Sequence, residues 1–207
     1  MISALAVTVA AISVVFGVNA WRREFVGKRR IELVEDMLAA FYEAEDAIRH
    51  IRNPAGFTGE GKTRERGPGE SEQESKVRDN AYVVIERYQH HNEQFAQLRS
   101  LKYRAMATFG EEAKEPFDEI ARVLNQIFFA AHMLGSHFWQ HAEWEAAREV
   151  GQREKHNQSV QKYEAIFWQA GDDDEIGRRV HSAVEAIEQI AADANNQKPT
   201  LAQRFGL

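Results

Sequence analysis

The chain has 207 residues, which is enough for one ordinary domain and an accessory segment. Hydrophobic residues make up 43% of the chain and charged residues 28%, values that exclude wholesale disorder and a multi-span membrane protein. The net charge of -6 argues against a nucleic-acid partner, because binding to phosphates depends on a basic surface. Cysteine is absent, so disulfides, thiolate metal sites and cysteine nucleophiles are excluded.

The chain begins with an apolar segment, Ile2–Trp21, that contains no charged residue. About twenty helical residues cross a hydrocarbon core of about 30 Å, so we predict a transmembrane anchor over residues 1–21. A cleaved signal peptide is the alternative, because Val18-Asn19-Ala20 ends in the small residue that a signal peptidase prefers. No Lys or Arg precedes the apolar run and a basic cluster follows it, which favours the anchor.

The basic cluster predicts the topology. Positive charge beside a span stays in the cytoplasm, so we expect a single pass through the inner (plasma) membrane, with the N-terminus outside and the body cytoplasmic. The same side chains are expected to contact anionic lipid headgroups. They are Arg22, Arg23, Lys28, Arg29 and Arg30.

Small residues recur at steps of three and four along the predicted anchor and form one seam. Such seams let helices approach closely in lipid, where van der Waals packing replaces the hydrophobic effect. The seam predicts self-association into a homo-oligomer; the alternative is that Ala is simply frequent in this span. Its members are Ser3, Ala6, Ala10, Ser13, Gly17 and Ala20.

The rest of the chain predicts an all-α fold, an antiparallel helical bundle with long helices over residues 22–197. Apolar residues recur at helical spacing, and no segment shows a sustained alternation typical of strands. We expect a first helix over Arg22–Arg52, a second over Ser75–Phe109 that pairs antiparallel with it, and a third opened by Pro116. Further helices are predicted on either side of Gly171.

A segment rich in Gly, Pro and charge, residues 53–75, predicts a mobile loop between the first two helices. Within it, Gly56–Thr63 fits the phosphate-binding pattern of two glycines with four residues between them, followed by Lys and Thr. That motif needs a strand before the loop and a helix directly after it. Neither is predicted here, so we interpret the match as accidental.

Two histidines in the third helix, His137 and His141, are spaced to lie on one face and are the candidates for a metal site. They could hold zinc if a carboxylate such as Glu43 or Asp46 faced them; the alternative is a polar edge of the apolar stripe. No His has a Glu three residues before it, which excludes the di-iron carboxylate class. The sequence indicates no cofactor.

The C-terminal tail, residues 198–207, breaks the helical pattern at Pro199. The tail is either a frayed terminus whose Phe205 is tucked onto the bundle or a short peptide that docks a partner.

The basic stretch from Trp21 to Arg30, with long helices behind it, resembles uncharacterised bacterial single-pass membrane-anchored helical proteins, a resemblance that implies no activity. No convincing catalytic constellation is present. We therefore expect a membrane-anchored scaffold or interaction protein acting through protein–protein contacts or self-association, rather than an enzyme. The alternatives are an oligomeric membrane effector or pore-forming protein, and a metal-dependent enzyme that uses the histidine pair.

Overall fold

A computed structural model describes residues 2–139, 150–171 and 174–196, with side chains from residue 17 onward except at residues 19, 20, 23, 150, 195 and 196. These residues form six α-helices and no strand, which confirms the predicted all-α class. The helices are α1 (Ile2–Ile51), α2 (Glu72–His90), α3 (Asn92–Phe109), α4 (Glu115–Met133), α5 (Val150–Phe167) and α6 (Glu175–Asn196).

Helix α1 is the central helix of the bundle, and α3 and α6 both pack antiparallel to it. Contacts of α1 with α3 join Asp36 to Arg104 and His50 to His91. Contacts of α1 with α6 join Tyr42 to Glu188, Glu45 to His181 and Arg52 to Asp174. Helix α4 starts beside the middle of α1, where the Phe41 and Phe117 rings meet at 4.9 Å between centroids, and it packs against α6.

The most apolar predicted stripe is the centre of the core, as its helical spacing indicated. Helix α4 has Pro116 in its first turn and is followed directly by a π-helical turn, Leu134–Phe138. Apart from the half-buried Phe138, the stripe is buried in the core that the helices share. Its buried members are Phe117, Ile120, Leu124, Ile127, Ala131 and Leu134.

The predicted second helix is divided in two. Instead of one helix over Ser75–Phe109, α2 ends at His90 and α3 begins at Asn92. The break lets α3 follow α1 while α2 turns its last residues over the end of α1. Helix α2 also begins before the predicted Ser75, because Ser71 and Glu74 form a capping box that satisfies backbone N–H groups of the first turn.

The loop between α1 and α2 follows a path defined by side chains. The Arg64 guanidinium donates to the Glu70 and Asp79 carboxylates at 2.7 and 3.0 Å. Gly61 is buried with φ +79, and a Cβ at this position would lie 1.9 Å from the backbone oxygen of Asp79. Only glycine fits this approach, so the loop backbone rests directly on α2. The mobility expected for residues 53–75 stays a prediction.

A buried arginine ties the C-terminal end of α1 to α5 and α6. Arg52, which is 1% exposed, donates to both carboxylate oxygens of Asp174 at 2.5 and 2.8 Å. Its remaining hydrogen bonds go to the backbone oxygens of Ala165, Ile166 and Trp168 at 2.8 to 2.9 Å. All three guanidinium nitrogens therefore have acceptors, and Nη2 is shared by three of them.

A second buried arginine, Arg87 of α2, caps the same end of α1. Its guanidinium forms a two-point ion pair with the Glu60 carboxylate, at 2.7 and 3.1 Å. It also donates to the carbonyl of Asn53 at 2.6 Å and to that of Ala55 at 2.9 Å, with longer contacts to the last carbonyls of α1. Helix termini leave carbonyls without intrahelical partners, and here a side chain from another helix supplies the donor.

Breaking the Arg52–Asp174 pair should destabilise the bundle strongly. Replacing Arg52 with Met leaves the buried Asp174 carboxylate without its charged partner, so we expect the free energy of unfolding to fall by about 3–5 kcal/mol. The matched control is Arg49→Met on the same helix, because Arg49 pairs with Asp46 in an exposed i,i+3 bridge worth at most about 1 kcal/mol. Urea unfolding followed by circular dichroism in mild detergent measures both changes.

The double variant Arg52→Met with Asp174→Leu separates the ion pair from general packing. Removing both charges should recover most of the lost stability, because no uncompensated charge remains in the interior. Equal losses in the Arg52→Met and Arg49→Met variants would show that the buried pair does not hold the helices together.

Candidate functional site

The N-terminal part of α1 extends beyond the bundle. The buried face of α1 begins at Leu33, and in the preceding residues 17–32, here called the stalk, nearly every described side chain is exposed. Large apolar residues that are exposed close together mark a candidate interaction surface, so the stalk is a candidate functional region. The exposed large apolar residues of the stalk are Val18, Trp21, Phe25, Val26 and Ile31.

Aromatic and basic side chains alternate along the stalk. The Trp21 and Phe25 rings stack at 5.7 Å between centroids, and the Arg29 guanidinium lies 4.8 Å above the Phe25 ring. Arg22 and Lys28 are also exposed, whereas Arg30 is half-buried with its guanidinium over the ring of Phe109. Of the predicted basic cluster, the Arg23 side chain lies outside the described residues.

The predicted small-residue seam is described only at Gly17. That residue is exposed, and a Cβ added to it would meet no atom within 4 Å. The side chains of Ser3, Ala6, Ala10, Ser13 and Ala20 lie outside the described residues, as do all those of residues 2–16 in the predicted anchor. Within the described part of the chain, no helix combines the length and the apolar character that a membrane crossing requires.

The segment that matches the phosphate-binding pattern does not have that motif's geometry. It is preceded by α1, and the next helix starts only at Glu72, nine residues after Thr63. The backbone N–H of Gly61, which a phosphate would need, donates instead to the Glu86 carboxylate. Of its glycines, Gly61 serves the close packing of the loop on α2.

The candidate metal histidines are only partly described, because His141 lies outside the described residues. His137 is exposed in the π-helical turn, with its ring 6.2 Å from that of His132. This turn packs against α2, α4 and α5, so Asp46 of α1 does not face it and pairs with Arg49 instead. Among the described residues, no group of three or more His, Asp or Glu side chains is arranged to hold a metal ion.

The acidic run before α6 has a structural use. Asp172 and Asp173 lie outside the described residues, but Asp174 is the buried partner of Arg52. Gly177 makes room for this carboxylate, since a Cβ there would lie 2.9 Å from an Asp174 oxygen. Asp174 therefore joins the start of α6 to the C-terminal end of α1.

Sequence reasoning missed a pair of histidines at the bundle end opposite the stalk. Nδ1 of His50, in the last turn of α1, lies 3.0 Å from Nε2 of His91, at the break between α2 and α3. The rings are arranged edge to face with centroids 5.1 Å apart. The two residues are 41 positions apart, so no spacing rule could have joined them.

This contact requires a single shared proton, because one ring nitrogen must donate and the other accept. Burial lowers the pKa of His91, and the charges of His50 and His90 lower it further. The groups facing the pair are the Arg87 guanidinium and His90 of α2 and the Glu60 carboxylate of the loop, whose pKa the hydrogen bond from Arg87 lowers. The folded protein therefore favours neutral His91.

The pKa of His91 gives the bundle a pH-dependent stability. Because folding lowers this pKa below its ordinary value near 6.5, the unfolded chain binds more protons as the pH falls through that value. The contribution of neutral His91 to the free energy of unfolding should therefore be fully present above about pH 7. The free energy of unfolding should decrease as the pH falls from about 7 to about 5.5. Urea unfolding at these pH values measures the decrease.

His91→Gln should flatten this decrease, while His132→Gln, which removes an exposed histidine from α4, should leave it unchanged. The window also lies above the range in which Glu60 gains a proton, because the hydrogen bond from Arg87 lowers the pKa of that carboxyl. A slope that is the same in the parent and in His91→Gln would rule out the His50–His91 contact as its source.

No family model, curated protein or solved structure matches this chain.

Proposed function

We propose that this chain is a single-pass membrane-anchored protein whose helical bundle faces the cytoplasm and binds another protein or a second copy of itself. The observation that carries the proposal is the continuity of α1, one helix of 50 residues. At about 1.5 Å per residue the helix is about 75 Å long, and the roughly 30 residues before Leu33 reach about 45 Å beyond the buried core. This part of α1 is therefore long enough to cross a hydrocarbon core of about 30 Å and one headgroup layer.

The chemistry of the stalk supports a position at the membrane surface. Trp21 is the last residue of the uncharged segment and Phe25 lies one helical turn farther on, where aromatic rings prefer the interface between lipid and water. Arg22, Lys28 and Arg29 present charge at the same level to anionic headgroups. The stacking of Arg29 on Phe25 keeps this charge beside the aromatic surface.

The bundle provides a rigid body for binding. Its two most buried charged side chains, Arg52 and Arg87, are occupied by carboxylates and carbonyls that join helix ends. Polar groups that fasten a fold in this way present a rigid surface to a partner.

The absence of native cysteine allows a direct test of topology. Ser3→Cys should react with a membrane-impermeant maleimide in spheroplasts, and Asn157→Cys, exposed on α5, should react only after the membrane is opened. The cysteine-free parent is the control. Labelling of Asn157→Cys in intact spheroplasts would contradict a cytoplasmic bundle, and recovery of the protein in the carbonate-soluble fraction would contradict the anchor.

Self-association through the seam is tested by light scattering in mild detergent, corrected for bound detergent. We expect a discrete oligomer that Gly17→Ile weakens at least about tenfold, because a large side chain keeps two seams apart. Gly17 has open space around its Cα, so this change does not disturb the chain's own packing. Val18→Leu, one position off the seam, is the matched control.

A monomer in the parent protein would contradict the seam and leave a different protein as the partner. An oligomer that also releases dye from liposomes at high protein density would favour the membrane-effector alternative.

A further inference from the structure

A surface groove of about 820 Å³ lies between the start of α4 and the outer face of α6. Its floor is apolar and made largely of small side chains, which leaves room for larger side chains from another segment. Apolar grooves of this size are typical of binding sites for ligands or chain segments. The floor includes Ala113, Pro116, Ala183, Ala186 and Ile190, with Phe109 at one end.

The stalk end of the groove is acidic. Glu112 stands at this end and forms no ion pair with any residue in the described ranges. Farther along, Glu119 is paired with Arg179 at 2.6 Å and with Arg122 at 2.7 Å, so these charges are already balanced. A cationic residue entering beside Glu112 would complete the charge pattern.

We propose that the C-terminal segment of this chain, residues 197–207, occupies the groove. Helix α6 lines the groove as far as Ile190 and ends at Asn196, about 9 Å farther along its axis. Residues 197–200 include Pro199, a residue suited to a reversal of the chain. The segment therefore emerges beside the stalk end of the groove and can turn back into it.

Length and charge both fit this occupant. The groove runs along α6 from Glu175 to Ile190, about 22 Å at the helical rise, and the seven extended residues 201–207 cover about 23 Å. The segment carries Lys198 and Arg204 and no acidic side chain, and in the proposed arrangement Lys198 would enter at the end of the groove where Glu112 stands. Leu201, Phe205 and Leu207 supply the bulk that a floor of small residues accommodates.

The cysteine-free chain permits a cross-linking test on the full-length protein. Ala186→Cys, on the groove floor, is combined with Leu201→Cys or with Phe205→Cys. The control places the groove cysteine one residue earlier, as Glu185→Cys, which lies at the same height on α6 but faces His181 outside the groove. Mild oxidation followed by non-reducing electrophoresis and mass spectrometry counts the intramolecular disulfides.

We expect the Ala186→Cys pairs to close at least about ten times faster than the Glu185→Cys pairs, because a docked segment raises the effective concentration of the second thiol. Equal rates for the two sets would overturn the proposal. Disulfide-linked dimers as the main product from the Ala186→Cys pairs would also overturn it, by showing that a second copy covers the groove.

A charge exchange provides an independent measurement. Glu112→Lys should slow closure of the Ala186→Cys pairs severalfold, and adding Lys198→Glu should restore it. An effect of Glu112→Lys that Lys198→Glu leaves unchanged would contradict this placement of the segment. The proposal does not require a membrane anchor: the oxidation is run in detergent, where its outcome is independent of topology.

Discussion

The desolvation of two guanidinium groups governs the rest of this structure. Moving an arginine out of water costs several kcal/mol unless a carboxylate and further acceptors replace its hydration. Arg52 finds them only where α1, α5 and the start of α6 converge, and Arg87 only where the loop crosses the end of α1. Apolar stripes alone would allow one helix to pack at several positions along the axis of another. These hydrogen bonds instead specify one arrangement at the end of α1.

Because the C-terminal end of α1 is fixed, its other end has one direction in which to leave the bundle. The helix continues unbroken past its last buried contact at Leu33 and carries the stalk away from the body. A continuous helix is stiff over this length, so the position of the stalk dictates the orientation of the whole bundle. In a membrane-anchored protein, the ends of α3 and α6 would then lie toward the bilayer and the His50–His91 pair away from it.

The helical spacing of apolar residues predicted the helices, because residues spaced in this way lie on one face of a helix and can be buried together. The α4 stripe, the start at Pro116 and the separation of the last two helices near Gly171 all follow from side-chain spacing. It could not predict that Arg52 and Arg87 are buried, because an arginine in a helical pattern is ordinarily a solvated residue. The break at His91 depends on the same long-range contacts, since no Pro or Gly marks it. The seam and the anchor rest on side chains that are described only from Gly17 onward.

The Arg52–Asp174 pair also determines how the groove can respond to an occupant. Helix α6 supplies one wall of the groove and is tied to α1 at its first turn. A shift of α6 by one residue would move the Asp174 carboxylate about 1.5 Å from its donors and leave two buried charges poorly paired. That cost exceeds what an exposed groove contact returns, so one occupant can replace another without moving the helix. Recognition at this face therefore depends on the shape and charge of a fixed surface, from Glu112 at the stalk end to Arg179.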